Sequence, residues 1–244
     1  MEILYGKNPV LEALRAGRPA RKLVLAAGVR DEPRLREILE GAAERGIPVE
    51  ETSRRRLDDI AHTEHHQGIA GYFHSRPPLS LDALLEQMRA PGLLLVLDGI
   101  QDPQNLGALA RSCDAAGAGG MVLVRDRATG VTAAAAKASA GAIEHVPIAV
   151  VPNLAAALTR MRDAGLWCVG LDAGAELRYD RFDYTSPVAL VVGAEGEGLR
   201  PLTRRRCDAL VSLPMLGRVA SLNVAAAGAI LLYEAARQRG FGAR

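Results

Sequence analysis

Residues 93–111 have the sequence LLLVLDGIQDPQNLGALAR, an apolar run followed by a polar loop and a helix-forming segment. Residues 93–97 are all apolar, which is typical of a strand buried on both faces of a sheet. Asn105 is placed to cap a helix over residues 106–116. A strand, a loop and a helix in this order predict a parallel α/β sheet, whose ligands bind beyond the carboxyl ends of its strands.

The alternation of strands and helices continues from residue 80 to the end of the chain, where Ser80 is placed to cap a short helix. Further strands are predicted at 121–125, 145–150, 166–171, 188–192 and 209–213. Further helices are predicted at 133–139, 154–164 and 223–239. The pattern predicts an α/β domain with a mainly parallel sheet and helices on both faces, and we assign it residues 91–244.

Residues 1–76 follow a second pattern with shorter elements. Asn8 and Pro9 are placed as the cap and the first residue of a helix. Further helices are predicted at 32–43 and, capped by Ser53, up to residue 61, and strands at 22–26, 47–51 and 68–74. This pattern indicates a small α/β domain. The prolines at positions 77 and 78 stiffen the following connector, so we assign residues 77–90 to a linker and lead-in helix.

Composition excludes several classes of protein. The chain has 244 residues and a net charge of +2. Its apolar stretches, at 93–97 and 224–230, fall far short of the ~18–20 residues that cross a bilayer. No basic segment leads into an apolar run near the N-terminus. The three cysteines lie far apart, which favours neither a disulfide framework nor a zinc site. We therefore expect a cytoplasmic protein without a membrane span or a metal.

The basic residues leave a nucleic-acid partner open. Lysine occurs at three positions, so 27 of the 30 basic residues are arginine. The planar guanidinium group suits phosphate binding, but a GC-rich coding bias gives the same excess. The runs Arg54-Arg55-Arg56 and Arg204-Arg205-Arg206 are either phosphate contacts or solvated helix faces.

The common nucleotide and hydrolase motifs are absent from the sequence. No G-x-G-x-x-G fingerprint, Walker A lysine loop or G-x-S-x-G elbow occurs. His62, His65 and His66 crowd one turn, but no further ligand completes a metal site. Asp172-Ala173-Gly174 is faintly similar to the acidic glycine turn of Rossmann-like methyltransferases. The glycines that should follow this turn are missing, so we assign it no role.

Three loops carry the prediction of function. In residues 97–111, Gly107 and Arg111 share a helix face, so Arg111 can pass over the glycine toward the loop. The glycine provides either room for a ligand or tight packing. In residues 191–200, three glycines follow an apolar strand and expose backbone donors and acceptors. Residues 213–223 place a proline, a glycine and small polar groups before the last helix.

Together and in this order, the loops resemble the three signature motifs of the SpoU (TrmH-like) branch of the SPOUT RNA methyltransferases. The resemblance covers residues 93–239. Residues 5–10 (YGKNPV) and 66–69 (HQGI) are similar to the opening and closing segments of that family's substrate-binding module, an L30e-like domain. A member with this module most resembles the RlmB-type group, which methylates the 2′-oxygen of a guanosine in 23S rRNA.

The resemblance implies a fold, a reaction and partners. It implies a C-terminal trefoil knot, which general topology rules do not predict. It also implies a homodimer through the knotted domains, with the active site near the subunit interface. The implied reaction transfers a methyl group from S-adenosyl-L-methionine to a ribose 2′-hydroxyl of RNA, without a metal.

Matching the family's motifs position by position implies the site residues. Arg111 is implied to be the catalytic arginine, supported by Asn105, Glu195, Ser221 and Asn223. The cofactor pocket is implied to contain Gly193, Gly196, Leu213, Met215 and Leu222. An arginine whose pKa is above ~12 is a poor general base. A phosphate clamp that orients the ribose is the favoured role for Arg111.

Other functions stay open at this point. The same loops serve tRNA ribose methyltransferases and resistance-type enzymes that methylate an rRNA adenosine. Relatives commonly have serine near Arg218 and at the position of Ala225, so the third motif departs from the usual pattern. An RNA-binding paralogue without activity is a further alternative, and intact Arg111, Glu195 and Asn223 argue against it.

Overall fold

The computed structural model describes residues 1–125 and 132–241, which divide into two compact units. The first unit comprises residues 1–77 and 132–145, and the second comprises residues 78–125 and 146–241. Among the helices of these residues, none combines the length and the apolar character that a membrane span requires.

Strands and α-helices alternate through most of the described residues. The strands are β1 (Glu2–Tyr5), β2 (Ala20–Ala26), β3 (Val49–Thr52), β4 (Ile69–Phe73), β5 (Leu93–Asp98), β6 (Gly120–Val124), β7 (Ile148–Val151), β8 (Trp167–Leu171), β9 (Val188–Gly193) and β10 (Ala209–Val211). The helices are α1 (Lys7–Arg15), α2 (Pro33–Glu44), α3 (Arg54–Ala61), α4 (Leu81–Glu86), α5 (Pro103–Ala115), α6 (Ala133–Ala138), α7 (Leu154–Asp163), α8 (Pro201–Arg206) and α9 (Val224–Gln238).

The second unit is built on a six-stranded sheet with the order β10-β8-β9-β5-β6-β7. Every neighbouring pair in it is parallel, which confirms the predicted sheet. All residues of β5 and β9 are buried, as expected for strands covered on both faces. The strand predicted at 145–150 begins only at Ile148, because a 3₁₀ helix at Ala142–Glu144 precedes it. The strand predicted at 209–213 ends at Val211.

Helices cover both faces of this sheet. On one face, Leu84 of α4 and Leu158 of α7 belong to the same buried cluster as Val191 of β9. Val192 points to the opposite face because successive side chains of a strand alternate. On that face α9 packs against α5, and a Cβ atom on Gly228 would lie 2.5 Å from Leu109 Cδ2. The mid-helix glycine of α9 therefore allows close helix packing.

The first unit is built on a four-stranded sheet with the order β1-β4-β2-β3. The β2–β3 pair is parallel and the other pairs are antiparallel. Leu14 of α1, Ile38 of α2 and Leu57 of α3 are among its buried residues. Ser53 caps α3 as predicted, since its side chain accepts a hydrogen bond from the Arg56 amide.

The first helix begins earlier than the sequence predicts. Its N-terminal cap is Gly6, with φ of 91°, and its first residue is Lys7. The Lys7 amide donates to Gln67 Oε1 at 3.0 Å, so a side chain 60 positions away satisfies the first turn. The prediction that Asn8 caps this helix was therefore wrong. Pro9 is tolerated inside the first turn because its position needs no amide donor.

Residues 132–145 group with the first unit, whereas their position in the sequence assigns them to the C-terminal domain. Helix α6 contacts β1, and Lys137 Nζ donates to the His65 carbonyl oxygen at 2.7 Å. Glu144 is 4% exposed, and its carboxylate accepts from Arg18 Nη1 at 2.8 Å. A buried ion pair thus holds this distant segment within the first unit.

The Arg18 guanidinium is also buried, and it contacts the Glu2 carboxylate as well as that of Glu144. Its removal should therefore lower the stability of the protein. We expect Arg18→Met to lower the free energy of unfolding by about 3–5 kcal/mol, since it leaves the Glu144 carboxylate buried without this cation. Urea unfolding measures the change.

Arg15→Met is the matched control. The Arg15 side chain is half exposed and pairs with Glu12 and Glu37 at the surface. We expect its loss to cost less than about 1 kcal/mol. Equal losses in the two variants would contradict the structural role given to the buried pair.

Candidate active site

A cavity of about 330 Å³ lies at the carboxyl edge of the parallel sheet. Its wall includes the segments after β8 and β9, the segment between β10 and α9, and the start of α9. Its volume is within the range of small-molecule sites. Seven of the predicted site residues line it: Gly193, Glu195, Gly196, Leu213, Met215, Ser221 and Leu222.

The loop after β9 folds back tightly on the strand. Gly193 is buried, and a Cβ atom there would lie 2.0 Å from the carbonyl carbon and oxygen of Gly198. The Gly198 amide donates to the Ala194 carbonyl oxygen at 2.9 Å, and Gly196 has φ of 80°. Glycine at 193 and 196 therefore permits a turn that presents the intervening Glu195 to the cavity.

Glu195 is held by two amide side chains from distant parts of the chain. Asn105 Nδ2 and Asn223 Nδ2 each donate to Glu195 Oε2 at 3.3 Å. Asn223 Nδ2 also donates to Asn105 Oδ1 at 2.9 Å. The Asn223 oxygen accepts from the Ala225 and Ala226 amides at the start of α9, so its NH₂ group faces the other two residues. Three predicted residues thus form one closed network.

Asn105 has a different local role from the one predicted. The cap of α5 is Asp102, whose side chain accepts from the amides of Gln104 and Asn105, and Pro103 is the first helical residue. The prediction that Asn105 caps the helix was therefore wrong. Because Asp102 satisfies these backbone donors, the Asn105 side chain is available to Glu195 and Asn223.

Arg111 does not line the cavity. It lies on the exposed side of α5, whereas Gly107 is buried. Arg111 follows Asn105 by six residues, which corresponds to about 9 Å along a helix and to a different face. Within residues 1–125 and 132–241, the Arg111 side chain forms no hydrogen bond or ion pair, so its guanidinium is available to a phosphate or another partner.

The structure brings to the site one segment to which the sequence pattern assigns no role. Leu171, Asp172, Ala173 and Gly174 follow β8 and line the cavity. Asp172 Oδ1 accepts from the Gly174 amide at 2.9 Å, and Arg204 Nε lies 2.7 Å from Asp172 Oδ2. The signal was the acidic glycine turn itself, which was set aside because the glycines expected after it are missing.

The charge of the lining favours a cationic ligand. Asp172, Glu195 and Glu197 are acidic, and the described residues around the cavity include no lysine, arginine or histidine. Leu171, Leu213 and other aliphatic side chains supply apolar surface beside them. This combination suits a molecule that joins a flat apolar ring to a positive group.

Comparison of the sequence with models of known protein families identifies the family. Residues 92–233 match the model of the SpoU rRNA Methylase family, and residues 3–79 match a model described as RNA 2′-O ribose methyltransferase substrate binding. The first match covers more than half of the chain, so the chain belongs to the SpoU family. It is an RNA methyltransferase of the SpoU/TrmH type, as the resemblance in the sequence implied.

Relatives and solved structures agree with this class. An "Uncharacterized tRNA/rRNA methyltransferase" of Mycolicibacterium vanbaalenii is 45% identical, over 98% of this chain and 77% of that protein. The SpoU methyltransferase AviRb from Streptomyces viridochromogenes in complex with the cofactor AdoMet has a TM-score of 0.81 and 28% identity, over 98% of this chain and 91% of that one. An AdoMet-bound rRNA methyltransferase from Sinorhizobium meliloti has a TM-score of 0.80 and 30% identity, over 97% of this chain and 87% of that one.

The tight turn at Gly193 provides a prediction that needs no ligand. We expect Gly193→Ala to lower the free energy of unfolding by about 1–3 kcal/mol, because the added methyl group overlaps the Gly198 backbone. Urea unfolding checks this value. Gly217→Ala is the control, since a Cβ atom at Gly217 has nothing within 4 Å, and its stability should equal that of the wild type. A Gly193→Ala protein as stable as this control would show that the turn has room to adjust.

Proposed function

We propose that this chain transfers a methyl group from S-adenosylmethionine to the 2′-oxygen of a guanosine ribose in 23S rRNA. The class of RNA methyltransferase follows from the family. The observation that carries the proposal is the Glu195 carboxylate, which Asn105 and Asn223 hold at the edge of an acidic cavity. A structure of the same fold contains this cofactor.

The cavity fits S-adenosylmethionine in both charge and surface. When bound, this cofactor supplies a sulfonium-activated methyl group. The carboxylates of Glu195 and Glu197, which pair with no cation in residues 1–125 and 132–241, favour the positive charge of such a ligand. Leu213, Leu222 and their aliphatic neighbours provide the apolar surface for an adenine ring.

The residues around the cavity have a positioning task, because the methyl group is already activated. Asn105 and Asn223 fix the Glu195 carboxylate beside the cavity, and the Ser221 side chain borders the same space. Fixed polar groups lower the barrier by holding the 2′-oxygen in line with the methyl carbon. The cysteines of this unit offer no nucleophile, since burial raises the pKa of the Cys168 and Cys207 thiols to about 12.

Arg111 acts in this proposal as a clamp on an RNA phosphate. A guanidinium binds phosphate through two parallel hydrogen bonds and stabilises charge that develops on the ribose oxygen. We include a homodimer through the C-terminal unit, and a trefoil knot in it, as the family resemblance implies. The exposed position of Arg111, outside the cavity of a single chain, leaves room for a second chain to complete the site in such a dimer.

The choice of rRNA rests on the first unit and on named relatives. Residues 3–79 match the substrate-binding model, and Arg54, Arg55 and Arg56 are exposed on α3 of that unit. The solved Sinorhizobium meliloti neighbour is an rRNA methyltransferase. With rRNA as the substrate, the proposal includes a cytoplasmic location.

Substitution of Arg111 tests the clamp. Arg111→Lys keeps the charge but loses the two-pronged geometry. We expect its kcat to fall by at least about 100-fold, the scale of losing one transition-state donor. The dissociation constant for S-adenosylmethionine, measured by calorimetry, should stay at the wild-type value. Wild-type turnover in this variant would refute the role of Arg111.

Mapping of ribose methylation tests the substrate. RNA from cells with and without the gene is compared for 2′-O-methylated positions in ribosomal and transfer RNA. We expect one guanosine of 23S rRNA to lose its methyl group, and a plasmid copy of the wild-type gene to restore it. Loss of an adenosine methylation or of a tRNA methylation instead would overturn the proposed target while leaving the class of enzyme intact.

A further inference from the structure

Asp98 ends β5 beneath the site and has a fully buried carboxylate. Its Oδ2 atom accepts from the Arg200 amide at 3.0 Å, and its Oδ1 atom accepts from the Arg200 guanidinium through Nε and Nη2. Asp98 is also in register with Gly193, where the loop after β9 begins. Both ends of the loop that carries Glu195 are thus anchored at Asp98.

Arg204 makes a second contact of this kind from the same helix. Arg200 is the N-cap residue that directly precedes α8, and Arg204 lies within the helix four residues later. Arg204 pairs with Asp172, which lines the cavity after β8. The cap and the interior of α8 therefore contact carboxylates at the end of β5 and directly after β8.

We infer that Arg200 and Arg204 are positioning residues that set the geometry of the site through Asp98 and Asp172. Arg200 closes the loop at residues 193–200 and so places Glu195 against Asn105 and Asn223. Arg204 holds the segment after β8 against the same cavity. The arginines of the run Arg204-Arg205-Arg206 therefore differ in role. Arg204 forms an ion pair with Asp172 and is not a free phosphate contact. This inference rests on the proposed function in one respect, because S-adenosylmethionine is the ligand used in the second of the two tests below.

The first test needs no cofactor. Hydrogen–deuterium exchange is measured on the full chain for the amides of residues 194–200, which include the hydrogen-bonded Gly198 and Arg200. In Arg200→Lys the charge that neutralises Asp98 is kept and the two-pronged contact is lost. We expect exchange in this loop to accelerate by about 10-fold or more, with no change in α9. Wild-type exchange would overturn the inference.

The second test uses S-adenosylmethionine alone, in calorimetry without RNA. We expect Arg200→Lys to weaken binding by about 10- to 100-fold, the scale of a small misplacement of site groups. Asp98→Asn combined with Arg200→Gln removes both charges and should weaken binding likewise. Arg204→Gln should weaken binding to a smaller extent, because its ion pair is partly exposed.

Arg205→Lys is the matched control. Arg205 follows on the same helix, is exposed, and has no ion-pair partner in residues 1–125 and 132–241. In Arg205→Lys, the rate of hydrogen–deuterium exchange at residues 194–200 and the affinity for S-adenosylmethionine should equal those of the wild type. If Arg200→Lys matches this control in both readouts, the Asp98–Arg200 pair serves stability alone and the inference fails. If the wild type itself does not bind S-adenosylmethionine, the proposed function fails, and the exchange measurement still decides the inference.

Discussion

The carboxyl ends of β5, β8 and β9 are neighbours because β9 lies between the other two in a sheet of parallel strands. This adjacency brings together groups that are far apart in the chain. Asn105 and Glu195 are 90 positions apart, and Asn105 and Asn223 are 118 apart, yet each pair is joined by a hydrogen bond. A reversal of any one of these strands would move its loop to the opposite edge of the sheet. The site therefore depends on the direction of the strands before it depends on any single side chain.

The charges at this edge are separated in a way that suits a cationic donor and an anionic acceptor. Carboxylates border the cavity, and the cations that balance two carboxylates of this edge, Arg200 and Arg204, lie on α8. Arg111 stands apart on the exposed side of α5, where a phosphate can reach it. Acidic residues at the cavity and an exposed Arg111 that has no ion-pair partner in residues 1–125 and 132–241 match the two substrates of RNA methylation, which carry opposite charges.

Several features of the structure could be predicted from the sequence because they depend on local periodicity and turn chemistry. The parallel sheet followed from apolar runs that alternate with helical segments, and Ser53 and Ser80 cap their helices as predicted. The caps of α1 and α5 were predicted wrongly. At α1, the Gln67 side chain, 60 positions away, accepts a hydrogen bond from the Lys7 amide in the first turn. At α5, the cap is Asp102, which is followed by Pro103, and not Asn105. The contribution of Asp172 to the cavity could not be predicted from its turn, because the order of strands in the sheet, which brings the turn to the cavity, is not encoded in the turn itself.

The sequence by itself determined the class of fold and the three loops, because hydrophobic period and glycine placement are local properties. The family resemblance of these loops implied seven of the residues that line the cavity. The tertiary structure alone decided which groups meet. It paired Asp98 with Arg200 across 102 positions, and it joined residues 132–145 to the first unit through Arg18 and Glu144. It also left Arg111 outside the cavity, although the helix pattern suggested that it reaches the loop. Burial makes such long-range pairing decisive, since a buried charge must have a partner wherever in the chain that partner lies.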